Sequence, residues 1–103
     1  MINEKPQESE SFVFPYFKYA EKSLSVAGGA EAYLTLTFSN NISWANIMIS
    51  SIIQQVSIYT NIEPVSATSA RIRAYNYNTS GGTVAGTVRV MALLPNDVNI
   101  SLS

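Results

Sequence analysis

The sequence contains no cysteine and no histidine. The first absence removes disulfides, thiolate nucleophiles and cysteine-based metal sites, and the second removes imidazole as base, proton shuttle or ligand. Charge is scarce too. Aspartate, glutamate, lysine and arginine make up 13% of the 103 residues, about half the usual share of a globular domain. Six basic against seven acidic residues leave a net charge of −1, which gives no general attraction to nucleic acid or to an anionic membrane. These absences imply a chain without metal or cofactor, without a nucleic-acid partner and without imidazole or thiol catalysis. At 47% hydrophobic residues, so sparsely charged a surface calls for cover by other subunits, and a homo-oligomer is expected.

Other exclusions follow from position. Residues 1–12, MINEKPQESESF, carry acids and no apolar run, so this start does not read as a signal peptide. The missing disulfides fit a cytosolic or virion protein, and equally a secreted bacterial one. Residues 32–62 hold no charged side chain, yet Asn46, Ser50, Ser51, Gln54, Gln55, Ser57, Thr60 and Asn61 make the later part too polar to lie in a bilayer. Buried or interface-covered strands are the reading, without membrane insertion. The carboxylates beyond the first residues are Glu21, Glu31, Glu63 and Asp97, with no close pair in sequence. Serines have no base to activate them, and Gly28-Gly29 and Gly81-Gly82 belong to no phosphate-binding pattern. The chain reads as no enzyme. Asn41, Asn78 and Asn99 each begin a glycosylation-type triplet, matches that chance supplies in an Asn- and Ser-rich sequence.

What is present is strand signal. Residues 1–11 are expected to be a flexible arm or a strap onto a neighbour, and 12–103 a single β-sandwich domain. Phe12-Val13-Phe14-Pro15-Tyr16-Phe17 predicts an edge strand or extended segment, and residues 19–24 the start of a helical turn that Gly28-Gly29 ends. Residues 33–38 alternate cleanly, with Leu34, Leu36 and Phe38 on one face. Residues 44–49 and 52–59 predict one long bent strand or two, with a bulge or change of face at Ser50-Ser51 and Gln54-Gln55. Residues 63–69 read as a connector, and 98–103 as a short tail. Five to seven short strands and no long helix predict a compact, antiparallel, oligomeric β-sandwich.

Residues 71–94 read as one hairpin closed by Asn78-Thr79-Ser80-Gly81-Gly82. Pairing Tyr77 with Thr83 sets Ala74 against Gly86 and Ile72 against Val88, an apolar face. The same register sets Arg71 opposite Arg89, with Arg73 nearby. Like charges across a ladder repel, so this face, which also carries Tyr75 and Tyr77, needs a negative or polar partner: Glu63 or Asp97 of the same chain, a neighbouring subunit, or an anion or polar ligand. Trp44, the sole tryptophan, is either a stacking platform for a sugar ring or a core or interface anchor. Arg71, Arg73, Tyr75, Tyr77, Arg89 and Trp44 are the candidate ligand-binding residues. Subunit interface is the competing reading for the tyrosine–arginine group.

Three stretches carry a family resemblance: YLTLTF followed by SNNISWANIMI, PVSATSARIRAYNYNTSGG, and GTVRVMALLP. Together they cover about 60 residues (33–94) that resemble bacteriophage tail-fibre and receptor-binding domains similar to H-type lectins. Val90-Met91 stands where that family often has an aromatic in its last strand. The resemblance implies a six-stranded sandwich, a trimer or dimer of trimers, location in a virion tail assembled in the host cytoplasm, and contact with host-surface carbohydrate. It assigns no sugar-contacting residue. Two functions remain open: a non-catalytic receptor-binding module, or a structural tail-tip, baseplate or capsid-decoration protein that contacts other virion proteins.

Overall fold

The computed structural model describes residues 16–103. Seven strands follow one another: β1 (Tyr16–Val26), β2 (Glu31–Phe38), β3 (Met48–Ile53), β4 (Ile58–Ser66), β5 (Ser69–Asn76), β6 (Val84–Leu94) and β7 (Ile100–Leu102). They form two antiparallel sheets, one ordered β1-β6-β3 and the other β4-β5-β2-β7. The expected all-β, two-sheet antiparallel architecture is present, at the upper end of the strand count. The arm expected over residues 1–11, and residues 12–15 of the aromatic cluster, lie outside the described residues.

The inward faces follow the alternation. Leu34, Leu36 and Phe38 of β2 join Ile72 and Ala74 of β5 and Val88, Val90, Ala92 and Leu94 of β6 in one buried cluster. Leu36, Ile72, Val88, Val90 and Leu94 are fully buried, and burying each such side chain stabilises by about 1.5–3 kcal/mol. Loops 27–30, 54–57 and 77–83 gather at one end of the sandwich, because successive strands run up and down.

The hairpin over residues 71–94 does not form. β5 pairs with β2 and β4, whereas β6 pairs with β1 and β3. Residues 77–83 cross from one sheet to the other. Ile72 and Val88 do share the core, but they belong to opposite sheets. Alternation identifies which side chains face inward; it does not distinguish a lateral neighbour from one across the core of a two-sheet sandwich. Arg71 therefore does not oppose Arg89. Arg71 lies between Thr35 and Glu63, and Arg89 between Glu21 and Ile52.

Other local expectations are corrected as well. Residues 19–24 are strand, part of β1, because pairing with β6 overrides a weak helical pattern. Trp44–Asn46 is a single 3-10 turn ahead of β3. The segment from 48 to 59 is two strands, and the change of sheet falls at residues 54–57, which include Gln54-Gln55. Residues 63–66 extend β4 and are not a connector; Ala67-Thr68 alone turns the chain into β5. Pro64 is accommodated because β4 is an edge strand with a register shift between Pro64 and Ser66. Residues 100–102 form β7 against β2, not a free tail.

Candidate functional site

The outer face of the four-stranded sheet collects most of the candidate residues. In register, Glu31, Tyr75 and Tyr59 form one cross-strand row, Tyr33, Arg73 and Asn61 the next, and Thr35, Arg71 and Glu63 a third. Tyr77, just past β5, continues the face toward the loop end, where its backbone N–H donates to the Ser57 carbonyl at 2.9 Å. Period-2 alternation in three neighbouring strands is what brings these side chains together.

The face satisfies itself. Arg71 donates from Nε to Glu63 Oε1 at 2.8 Å, with Nη2 2.6 Å from the same oxygen. Arg73 donates from Nε to Glu31 Oε2 at 2.6 Å and also through Nη2. The other Glu31 oxygen accepts from the Tyr33 hydroxyl at 2.6 Å. The ring faces have partners too. The Arg71 guanidinium lies 4.5 Å from the Tyr33 ring centroid, and that of Arg73 lies 5.8 Å from Tyr75, both within cation–π range. Tyr59 and Tyr77 stack at 6.2 Å with 25° between planes, and Tyr59 meets Tyr75 edge-on at 5.7 Å. The Tyr77 hydroxyl donates to the Val56 carbonyl at 2.8 Å.

These contacts set the electrostatics. The Arg73 guanidinium, then the Tyr33 hydroxyl, holds the Glu31 carboxyl below the usual glutamate range. The Glu31 carboxylate in turn raises both Tyr33 and Arg73, and Glu63 raises Arg71. Two arginines are matched by two glutamates, so the face presents no net charge despite its four charged groups. All of them remain substantially exposed: the side chains of Arg73 and Glu31 are 28% and 34% accessible.

Two candidates stand apart. Arg89 is on the outer face of the other sheet, its Nε 3.7 Å from Glu21 Oε1. Trp44 is half-buried, donates its indole N–H to the Ser66 carbonyl at 2.9 Å and meets Phe38 edge-on with centroids 5.5 Å apart. That geometry is an anchor at the core's rim. Glu63, one of the in-chain partners the sequence left open, pairs with Arg71, whereas Asp97 does not join the face; residues that the sequence did not single out complete it: Glu31, Tyr33 and Tyr59. Tyr33 was visible as an outward residue of an alternating strand, but its meeting with Arg71 required knowing that β2 lies beside β5.

Among the described residues there is no cluster of three or more metal-ligating side chains, and no helix long and apolar enough to cross a membrane. Comparison with protein-family models, curated proteins and solved structures finds no match. What fold and face define is a class: an antiparallel two-sheet protein bearing a charge-balanced, tyrosine-rich sheet face.

Proposed function

We propose that this chain is a non-catalytic, homo-oligomeric assembly module of a bacteriophage-type tail, and that its tyrosine–arginine face is covered by a neighbouring subunit. The observation carrying this is that both glutamates, both arginines and the Tyr33 and Tyr77 hydroxyls have partners within the chain. A sugar site needs donors and acceptors left open to hydroxyls and a ring face left open to C–H bonds. A subunit interface benefits from the opposite: tyrosines and arginines already ordered, so that little side-chain freedom is lost on docking. The in-chain glutamates also remove the need for an anionic ligand. The tail assignment rests on the resemblance of residues 33–94 alone.

The receptor-binding reading keeps one specific observation. At the loop end Val56 is 94% exposed and Tyr77 54%, beside the amide and hydroxyls of Asn78, Thr79 and Ser80. Apolar surface flanked by such groups suits a host-surface saccharide.

Light scattering on the wild type and on Arg73→Ala/Tyr75→Ala, paired with a glycan array, separates these readings. Assembly predicts a multi-subunit mass that falls in the variant. A monomeric wild type overturns it. Saccharide binding that is lost in a variant of unchanged mass moves the face to receptor recognition.

A further inference from the structure

We propose that β3 pairs edge to edge with β3 of a second copy of the chain, antiparallel and about a two-fold axis, so that two three-stranded sheets become one continuous sheet. The inference rests on the chain self-associating, and not on what covers the tyrosine–arginine face, which belongs to the other sheet.

The two sheets have four edges: β1 and β3 on one, β4 and β7 on the other. An edge presents a row of backbone N–H and C=O groups to any passing strand, and proteins blunt it with lysine, proline, a bulge or brevity. Three of these edges carry such a device. On β1, Lys18 donates to the Asn96 carbonyl at 3.0 Å and to Asn99 Oδ1 at 3.1 Å, reaching toward the other sheet, and Lys22 follows one turn of the alternation later. On β4 stand Pro64 and a register shift between Pro64 and Ser66. β7 is only three residues long. β3 has none of these. Its residues, Met48-Ile49-Ser50-Ser51-Ile52-Ile53, include no charge, proline or glycine, and they pair with β6 without a shift in register. Among the described residues, β6 is the one strand that β3 pairs with, and no further backbone bond reaches its other side.

The occupant follows from what the strand meets when it is turned onto itself. Centred on Ser50, an antiparallel two-fold sets Met48 opposite Ile52 of the second copy and Ser50 opposite its own counterpart. Met48 is 70% exposed and Ile52 45%, so this register covers the two large apolar side chains that β3 leaves in water, once on each side of the axis. The two hydroxyls at the centre can bond each other, and cross-strand pairs of both kinds stabilise a ladder. No charge meets a like charge. The same operation on β1 fails: centred on Ala20 it sets Lys18 against Lys22, and centred on Glu21 or Lys22 it sets a charge against itself, which repels. A β3–β3 contact is isologous, so it closes on two copies and uses up the one unblunted edge.

The cysteine-free sequence allows a direct test in the full chain. Residues directly opposed in an antiparallel pair have Cα atoms about 4.5–5.5 Å apart, within the span of a disulfide. Ser50→Cys should therefore give a two-chain product on a non-reducing gel after mild oxidation, collapsing on reduction. Ser23→Cys, equally exposed but on β1, should give little. A Ser50→Cys product no more abundant than that of Ser23→Cys overturns the proposal. Met48→Lys/Ile52→Lys places like charges opposite each other across the axis at two exposed positions, and its light-scattering mass should fall below that of the wild type. An unchanged mass in this variant, folded by circular dichroism, overturns β3 pairing while leaving a multi-subunit wild type to the tyrosine–arginine face. If the lysine variant does not fold, the cross-link comparison decides. A monomeric wild type overturns both proposals.

Discussion

Asn76 shows what a single buried polar side chain can hold together. It is fully buried, and its Oδ1 accepts from the Ser57 hydroxyl at 2.8 Å and from the Asn78 N–H at 3.1 Å. Its Nδ2 donates to the Val26 carbonyl at 3.1 Å and the Gly82 carbonyl at 3.4 Å. One amide thus ties together β1, the β3–β4 corner and the β5–β6 crossing. Replacing it with alanine leaves several buried groups unpaired, and Asn76→Ala is expected to lower stability by about 2–4 kcal/mol in urea denaturation. The glycines nearby divide sharply. A Cβ on Gly28 would lie 2.7 Å from the Asn78 carbonyl oxygen and closer still to that of Gly81, both backbone atoms, whereas one on Gly82 meets nothing within 4 Å. Gly28→Ala should cost about 1–3 kcal/mol through overpacking, and Gly82→Ala should leave the melting temperature unchanged or slightly raised. Equal effects of the two substitutions would show that the β1–β2 turn does not press on the β5–β6 crossing.

Within the four-stranded sheet, the linked element is the Glu31–Arg73–Tyr33 cluster joining β2 to β5. Because the folded chain holds the Glu31 carboxyl below its ordinary value near 4.5, the fold favours the deprotonated form more than the unfolded chain does. Its contribution is therefore complete above about pH 4.5 and is lost as pH falls through the lower folded value. Stability measured by urea denaturation should decline on acidification below pH 4.5, and Glu31→Gln should flatten part of that decline while lowering stability at pH 7. An unchanged pH profile in the variant would remove the cluster from the account. How far such an element could be read from sequence depends on which strands adjoin. The outward set Arg71, Arg73 and Tyr75 and the inward set Ile72, Ala74 and Asn76 follow from alternation alone. The neighbours of β5 do not, because β2 lies some 40 residues away and nothing in residues 31–38 specifies it as the partner. The seven-residue segment 77–83 resembles a hairpin turn in composition while spanning two sheets. For that reason sequence alone leaves the arginine partners open between Glu63 or Asp97 of the same chain, a neighbouring subunit and a ligand, and gives no sign of Glu31, although both glutamates stand one strand away. Trp44 likewise needed the fold, since its anchor role depends on Phe38 and the Ser66 carbonyl.

At the scale of the whole molecule, the long-range pairing that hid the site from sequence also sets how the chain folds. Among the described residues β4 and β5 make the one tight hairpin, closed by Ala67-Thr68, and their ladder can form before distant segments meet. β1 has the opposite character: every residue from Tyr16 to Val26 pairs with β6, near the far end of the sequence. Closing so long a loop is entropically costly and is rewarded only after β6 is in place. The transition state is then expected to contain β4, β5 and the core beneath them, with β1 docking later. Two buried side chains separate these stages. Ile72 sits in the middle of β5 and Val26 at the end of β1, and both are buried at 1% exposure or less. Ile72→Ala should destabilise by about 2–5 kcal/mol and Val26→Ala by about 2 kcal/mol. Stopped-flow kinetics across a urea series should show the first mainly as slower folding and the second mainly as faster unfolding. If Val26→Ala slows folding as much as Ile72→Ala does relative to its stability loss, β1 is already docked at the barrier.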